Sequence, residues 1–168
     1  MTAQPPGTHL AQLNIGRLLA PTDDPRVAEF MAALDLVNGI GKRSPGFVWM
    51  MEGSGEPGTG NTEAKIGGDP QSVSNLTVWE DVGSLEHFVY NTVHKRFYDR
   101  RASWFELMAR PHFVMWFVPE GHRPPLGEAL ERLAHLEAHG PTDHAFGWSH
   151  LKQAQLWKTR ACTPIAAE

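Results

Sequence analysis

HFVMWFV, residues His112 to Val118, decides how this chain must fold. The two-residue period of a strand sends Val114, Trp116 and Val118 to one side and Phe113, Met115 and Phe117 to the other, so both sides are apolar. FVWMME, Phe47 to Glu52, repeats the pattern, with Phe47, Trp49 and Met51 set against Val48 and Met50. A sheet of such strands has to be covered twice, and two helices cover only one face of a four-stranded sheet. Left bare, a face of Phe, Met and Trp invites aggregation, and the economical cover is a second copy of the same sheet. A homodimer is therefore expected.

Working outward, HLAQLNI (His9 to Ile15) and VSNLTVWED (Val73 to Asp81) read as the first and third strands. Asp24-Pro25 is a helix start, with Val27, Phe30, Met31, Leu34 and Val37 at helical spacing and a stop at Ser44-Pro45-Gly46. A second helical region opens near Ser84 with Leu85, Phe88, Val89 and Val93 on one face. PPLGEALERLAHLEAH is a third, amphipathic helix, expected on the rim and ending at Gly140-Pro141. HAFGWSH suggests a further short strand. Between the second and third strands, GSGEPGTGNTEAKIGGDPQS is too glycine-rich and too long for a hairpin and reads as a mobile flap.

Strand, helix, strand, strand, helix, strand predicts an α+β fold: a ferredoxin-like antiparallel sheet with the first and third strands as central neighbours and helices on one face. Paired sheet to sheet, this makes a dimeric α+β barrel. Residues 1–150 form one domain in this reading, and 151–168 a weakly ordered C-terminal tail.

Charge and composition narrow the function. Net charge is -4 over 168 residues, so no positive field gathers nucleic acid or an anionic membrane. The start lacks a basic, then apolar, leader and no stretch approaches the ~20 apolar residues of a membrane span, which predicts a cytoplasmic protein. The single cysteine, Cys162, leaves no disulfide framework or cysteine cluster. Gly53, Gly55 and Gly58 match G-x-G-x-x-G, but Pro57 and the polar residues beyond offer no helix to receive a pyrophosphate. No HExxH, GxSxG or 2-His-1-carboxylate spacing is present, and His87 and His94 stand two helical turns apart. No metal site is expected.

HLAQLNIGRL with DDPRVAEFMAALDLVN, SPGFVW, LTVWEDVGSLEHFVY, HKRFYDRRASWFE and PHFVMWFVPEGHRPPLGEALERL resembles an uncharacterised bacterial family, a domain of unknown function, in the dimeric α+β barrel superfamily. That superfamily also holds antibiotic-biosynthesis monooxygenases that need no cofactor, polyketide cyclases, muconolactone isomerases and haem enzymes. The resemblance implies a fold and leaves the chemistry to the residues.

Those residues suggest two groups. Gln12 and Asn14 share a face of the first strand, where the third strand can set Asn75, Thr77 and Trp79 beside them as a polar patch. Either these groups satisfy one another, or Asn14 and Trp79 position a planar substrate. In YNTVHKRFYDRRASWFE, Tyr90 to Glu106, a continuous helix would align Tyr90, His94, Arg101 and Phe105 on one stripe and Phe97 and Trp104 on an apolar one. His94 is then the candidate acid or base and Arg101 the charge stabiliser. By parity His112 shares the face of Trp116, and both are candidate cavity-lining residues. The expected function is cofactor-free oxygenation or proton transfer on a planar or aromatic metabolite. The alternatives are haem binding through His94 or His112, and ligand binding without catalysis.

Overall fold

The computed structural model describes residues 2–56 and 58–160. Cys162, Pro57 and the end of the expected tail lie outside them. Strands β1 (Thr8–Arg17), β2 (Phe47–Met50), β3 (Ser72–Trp79) and β4 (Phe113–Pro119) form one antiparallel sheet in the order β2-β3-β1-β4. The first and third strands are thus central neighbours, and the protein has an α+β fold. Among the described residues, no helix is long and apolar enough to cross a membrane.

Local chemistry sets the helix boundaries. The Asp24 carboxylate accepts from the Arg26 backbone N–H at 2.9 Å and leads through a 3-10 turn at Pro25–Val27 into α1 (Ala28–Arg43). Ser44 caps its C-terminus, and Gly46 turns the chain at φ +76, a conformation that disfavours a side chain. Asp81 accepts from the Ser84 N–H at 2.7 Å to start α3 (Val82–Asn91). Leu126–His139 is α5, stopped by Gly140 at φ +70.

The flap is a built part of the fold. It contains a one-turn helix, α2 (Thr59–Thr62), and a 3-10 turn at Ile66–Gly68. Asn38 donates to the Asn61 side chain at 2.7 Å, buried Asn61 donates to the Ser74 carbonyl at 3.0 Å, and the Gly58 N–H donates to Asp35 at 3.0 Å. These bonds tie the glycine-rich stretch to α1 and β3, which composition alone does not reveal.

Strand register separates two faces. Leu10, Gln12 and Asn14 share the first with Trp79, Thr77 and Asn75 and with Phe117, Met115 and Phe113. It is covered by α3 and by the segment that follows α5, through Val82, Leu85, Phe146, Leu151 and Ala154. α1 packs beside α3 at Gly41, where a Cβ would meet the Phe88 ring at 3.3 Å. Ala11, Leu13, Leu76, Val78, Val114 and Trp116 make the second face, each at 1% exposure or less, packed against Leu126, Ala129, Leu130, Leu133 and Leu136 of α5.

The third helix therefore lies across the second face instead of on the rim. That removes the ground on which the two-sided strands call for a partner copy. HAFGWSH contributes an antiparallel bridge between Phe146 and Met115, at 2.7 and 2.9 Å, rather than a strand of its own. The residues after it pack as well: buried Glu86 accepts the backbone N–H groups of Gln155 at 3.1 Å and Trp157 at 3.0 Å, at the start of α6 (Leu156–Arg160).

Two expectations follow. Met115→Lys should abolish the folded near-ultraviolet circular dichroism signal rather than merely dissociate an oligomer, because Met115 is fully buried within one chain and an unpaired buried ammonium costs several kcal/mol. A folded, monomeric Met115→Lys protein would contradict this packing. Glu86→Ala strips two backbone donors of their acceptor, and a loss of about 1–3 kcal/mol in urea unfolding is expected, together with faster proteolysis of the C-terminal segment.

Candidate functional site

The polar patch on the first face is a hydrogen-bonded floor. Gln12 Nε2 donates to Asn75 Oδ1 at 2.7 Å and to Thr77 Oγ1 at 2.7 Å, and Trp79 Nε1 donates to the same hydroxyl at 2.8 Å. Gln12, Thr77 and Trp79 are buried and satisfy one another. Asn14 differs. It lies between Asn75 and Phe113 in register, is exposed, and its amide makes no hydrogen bond to a described residue.

Aromatic rings rise from this floor. Trp79 is stacked on Phe88 at 5.2 Å with Phe47 edge-on at 5.5 Å. The contacts continue from Phe88 to His94 at 4.8 Å, His94 to Tyr98 at 6.4 Å, Tyr98 to Tyr90 at 6.0 Å, Tyr90 to Trp148 at 6.0 Å and Trp148 to Phe113 at 5.8 Å. Phe113 is the register partner of Asn14, so the circuit closes on the floor. Buried Trp79 and Tyr90 give it rigidity, and it reaches solvent at Asn14.

His94 owes its place to a break in the predicted helix. Thr92 is extended (φ -114, ψ -175); its hydroxyl donates to the Phe88 carbonyl at 2.6 Å and accepts from the His94 N–H at 3.2 Å. One side chain thus ends α3 and starts α4 (His94–Asp99). The ring's Nδ1 is 3.3 Å from the Val89 carbonyl, which can only accept, so Nδ1 carries the hydrogen and Nε2 the lone pair. Burial pushes this imidazole below its ordinary pKa, against a smaller opposing pull from the Val89 carbonyl.

The break also dissolves the expected stripe. Arg101 begins a separate 3-10 turn, donates to the Tyr98 carbonyl at 2.9 Å and lays its guanidinium 4.4 Å from the Tyr98 ring centre. It meets His94 only through Tyr98. Phe105 packs elsewhere, 4.8 Å from Phe30. Trp104 is core at 3% exposure and touches half-buried Phe97 at 5.7 Å. Arg100 pairs with Glu29 at 2.6 and 2.8 Å, and Lys95 with Asp99 at 2.6 Å.

Two expected lining residues belong to the other face. Trp116 is fully buried under α5, its Nε1 donating to Glu128 at 2.9 Å. His112 is at the strand end opposite Ile15, whose N–H donates to its carbonyl at 2.8 Å. Strand alternation keeps it away from Asn14 and Trp79. Tyr98, Trp148 and Phe113, which complete the circuit, carry no spacing signal because three separate elements supply them. A groove of about 440 Å³ runs between α1 and the glycine-rich loop, where Lys42 pairs with Glu52 at 2.6 Å and Asp35 accepts from Gly58.

Comparison with solved structures finds PA3566 from Pseudomonas aeruginosa, 14% identical, over 68% of this chain and 96% of that one, with a TM-score of 0.44. The NE2512 protein of unknown function from Nitrosomonas europaea is 15% identical over 71% of this chain and 96% of its own, with a TM-score of 0.39. No curated protein matches the chain. The model of a domain of unknown function, DUF3291, matches residues 9–162, and the chain belongs to that family.

Proposed function

We propose that the aromatic circuit over the first sheet face binds a planar, small aromatic or enolic molecule, and that His94 takes a proton from it. The observation that carries this reading is the His94 ring: its Nδ1 is engaged by Val89, its Nε2 bonds to no described residue, and burial keeps it neutral. A neutral imidazole among Phe88 and Tyr98 is a base in a low-dielectric wall. Taking the substrate proton on Nε2 leaves an imidazolium beside a phenolate or enolate, and each charge offsets the other's loss of water. Such an anion is the common start of a cyclisation, an isomerisation or a cofactor-free oxygenation. Asn14 would accept or donate a hydrogen bond at the open end, Trp79 supports the wall, and Arg101 fixes Tyr98 and supplies the nearby positive charge. The strand order supports a ferredoxin-like arrangement, the frame in which the resembling enzymes work.

The reading is tested with a panel of planar phenols, quinols and β-dicarbonyl acids, followed by tryptophan fluorescence. Saturable quenching is expected, weakened about tenfold in Asn14→Leu, the loss of one well-placed hydrogen bond. For the compound that is turned over, His94→Gln should preserve binding and lower kcat by about 10²- to 10⁴-fold. Unchanged turnover in His94→Gln would make the histidine structural.

His94 also predicts a pH signature. Its folded pKa lies below the ordinary histidine value of about 6.5, so its full contribution to stability is present above that value. As pH falls through it, the unfolded chain accepts a proton that the folded chain refuses, and stability declines until the folded pKa is passed. The melting temperature of the wild type should therefore drop more between pH 7.5 and pH 5, a window chosen about the ordinary histidine pKa, than that of His94→Gln.

A further inference from the structure

Away from the aromatic circuit, α5 carries Glu131, His135 and His139 at intervals of four, which sets them along one stripe. After Gly140 the chain turns back and places His144 against that stripe. The return is anchored: the Thr142 N–H donates to the Ala145 carbonyl at 2.9 Å, and fully buried Phe146 exchanges two backbone bonds with Met115. The Thr142 hydroxyl accepts from the His144 N–H at 3.2 Å and lies 3.1 Å from His135 Nε2. Ligand atoms of Glu131, His135 and His144 consequently lie within 4.8 Å of one another. His144 Nε2 is 3.0 and 3.1 Å from the two Glu131 carboxylate oxygens, and the His135 ring centre is 4.6 Å from those of both His139 and His144.

We propose that Glu131, His135 and His144 bind a divalent transition metal of the zinc class, with His139 as the neighbouring imidazole able to complete its coordination. Two imidazoles and a carboxylate are a donor set that zinc accepts in tetrahedral geometry. At metal–ligand distances near 2.1 Å, tetrahedral ligands stand about 3.4 Å apart. The Glu131–His144 pair is already that close, and half-buried His135 has to approach by about 1 Å, within reach of a ring rotation. The carbonyls at the end of α5 add negative potential.

Arg132 opposes loading, because its Nη1 donates to both His144 Nδ1 and the His144 carbonyl. Metal on Nε2 puts the ring proton on Nδ1, so the guanidinium keeps only its bond to the carbonyl. The site is therefore a moderate binder.

The test uses untagged full-length protein, stripped with chelator and titrated calorimetrically with zinc chloride, with magnesium chloride in parallel. About one zinc ion per chain and no magnesium binding are expected, since this donor set lacks the oxygen shell magnesium needs. His135→Ala and His144→Ala should each weaken zinc binding by about tenfold or more, and Glu131→Gln should weaken it as well. His87→Ala, on another helix, should leave it unchanged. His144→Gln keeps a hydrogen-bonding partner for Arg132 and should fold even if His144→Ala does not. Zinc should raise the melting temperature of the wild type but not of the His135 and His144 variants. No saturable zinc binding by the wild type, or equal binding by the folded ligand variants, overturns the proposal.

Discussion

Strand β4 buries Val114, Trp116 and Val118 on one side and Met115 on the other, each at 2% exposure or less. Neither side can be left to water, since each Å² of apolar surface buried is worth ~25 cal/mol. On the second face the demand is met by α5, which adds a polar clasp: Glu128 accepts from Trp116 Nε1 and sits 2.7 Å from His122 Nε2. Burial alone would raise the Glu128 carboxyl, but those two partners bring it below its ordinary pKa. On the first face the demand is met by α3 and by the chain returning from α5. The order of layers is thus a consequence of one strand having no polar side.

The same demand shapes the aromatic circuit. Covering the first face requires α3 to lie over Trp79 and Leu10, but Asn14, exposed at the far end, needs no apolar cover. The helix can therefore stop, and Thr92 stops it by satisfying the Phe88 carbonyl and the His94 N–H with one hydroxyl. Had the helix continued, Tyr90, His94 and Arg101 would form a single stripe. With it broken, His94 turns back onto Phe88 and Val89, and Tyr98 comes to stand between it and Arg101.

Period-two alternation made the four strands legible within a residue or two, because each strand has at least one mostly apolar side, and the caps at Asp24 and Gly140 were legible because they rest on local backbone needs. The cover of the second face was not. Leu126, Leu130 and Leu133 show that α5 is amphipathic, and amphipathicity does not say which surface a helix meets. The helix break was hidden for a different reason. Thr92 is an ordinary residue in a helical run until its hydroxyl finds acceptor and donor at once. Of the proposed site residues, Asn14 and Trp79 share a floor because strand parity is rigid, whereas Trp116 and His112 fell on the opposite face by the same parity. The Glu131, His135 and His144 cluster escaped because its third member crosses a turn, although Glu131 and His135 at an interval of four already mark one side of it.

One segment serves both places where histidines gather. Phe146, fixed to Met115 by backbone bonds and fully buried, has His144 two residues before it and Trp148 two residues after. The segment closes on itself where His150 Nε2 meets Asp143 at 3.0 Å. His144 faces α5, while Trp148 stacks on Phe113 and leans on Tyr90. Whatever holds Phe146 against β4 therefore positions a member of the Glu131–His135–His144 cluster and a ring of the aromatic circuit together. The two imidazoles stand in different surroundings. His94 is half-buried against Phe88 and Tyr98, where loss of solvent lowers its pKa and makes a proton costly. His144 is exposed, with Nε2 beside the Glu131 carboxylate and Nδ1 beside the Arg132 guanidinium.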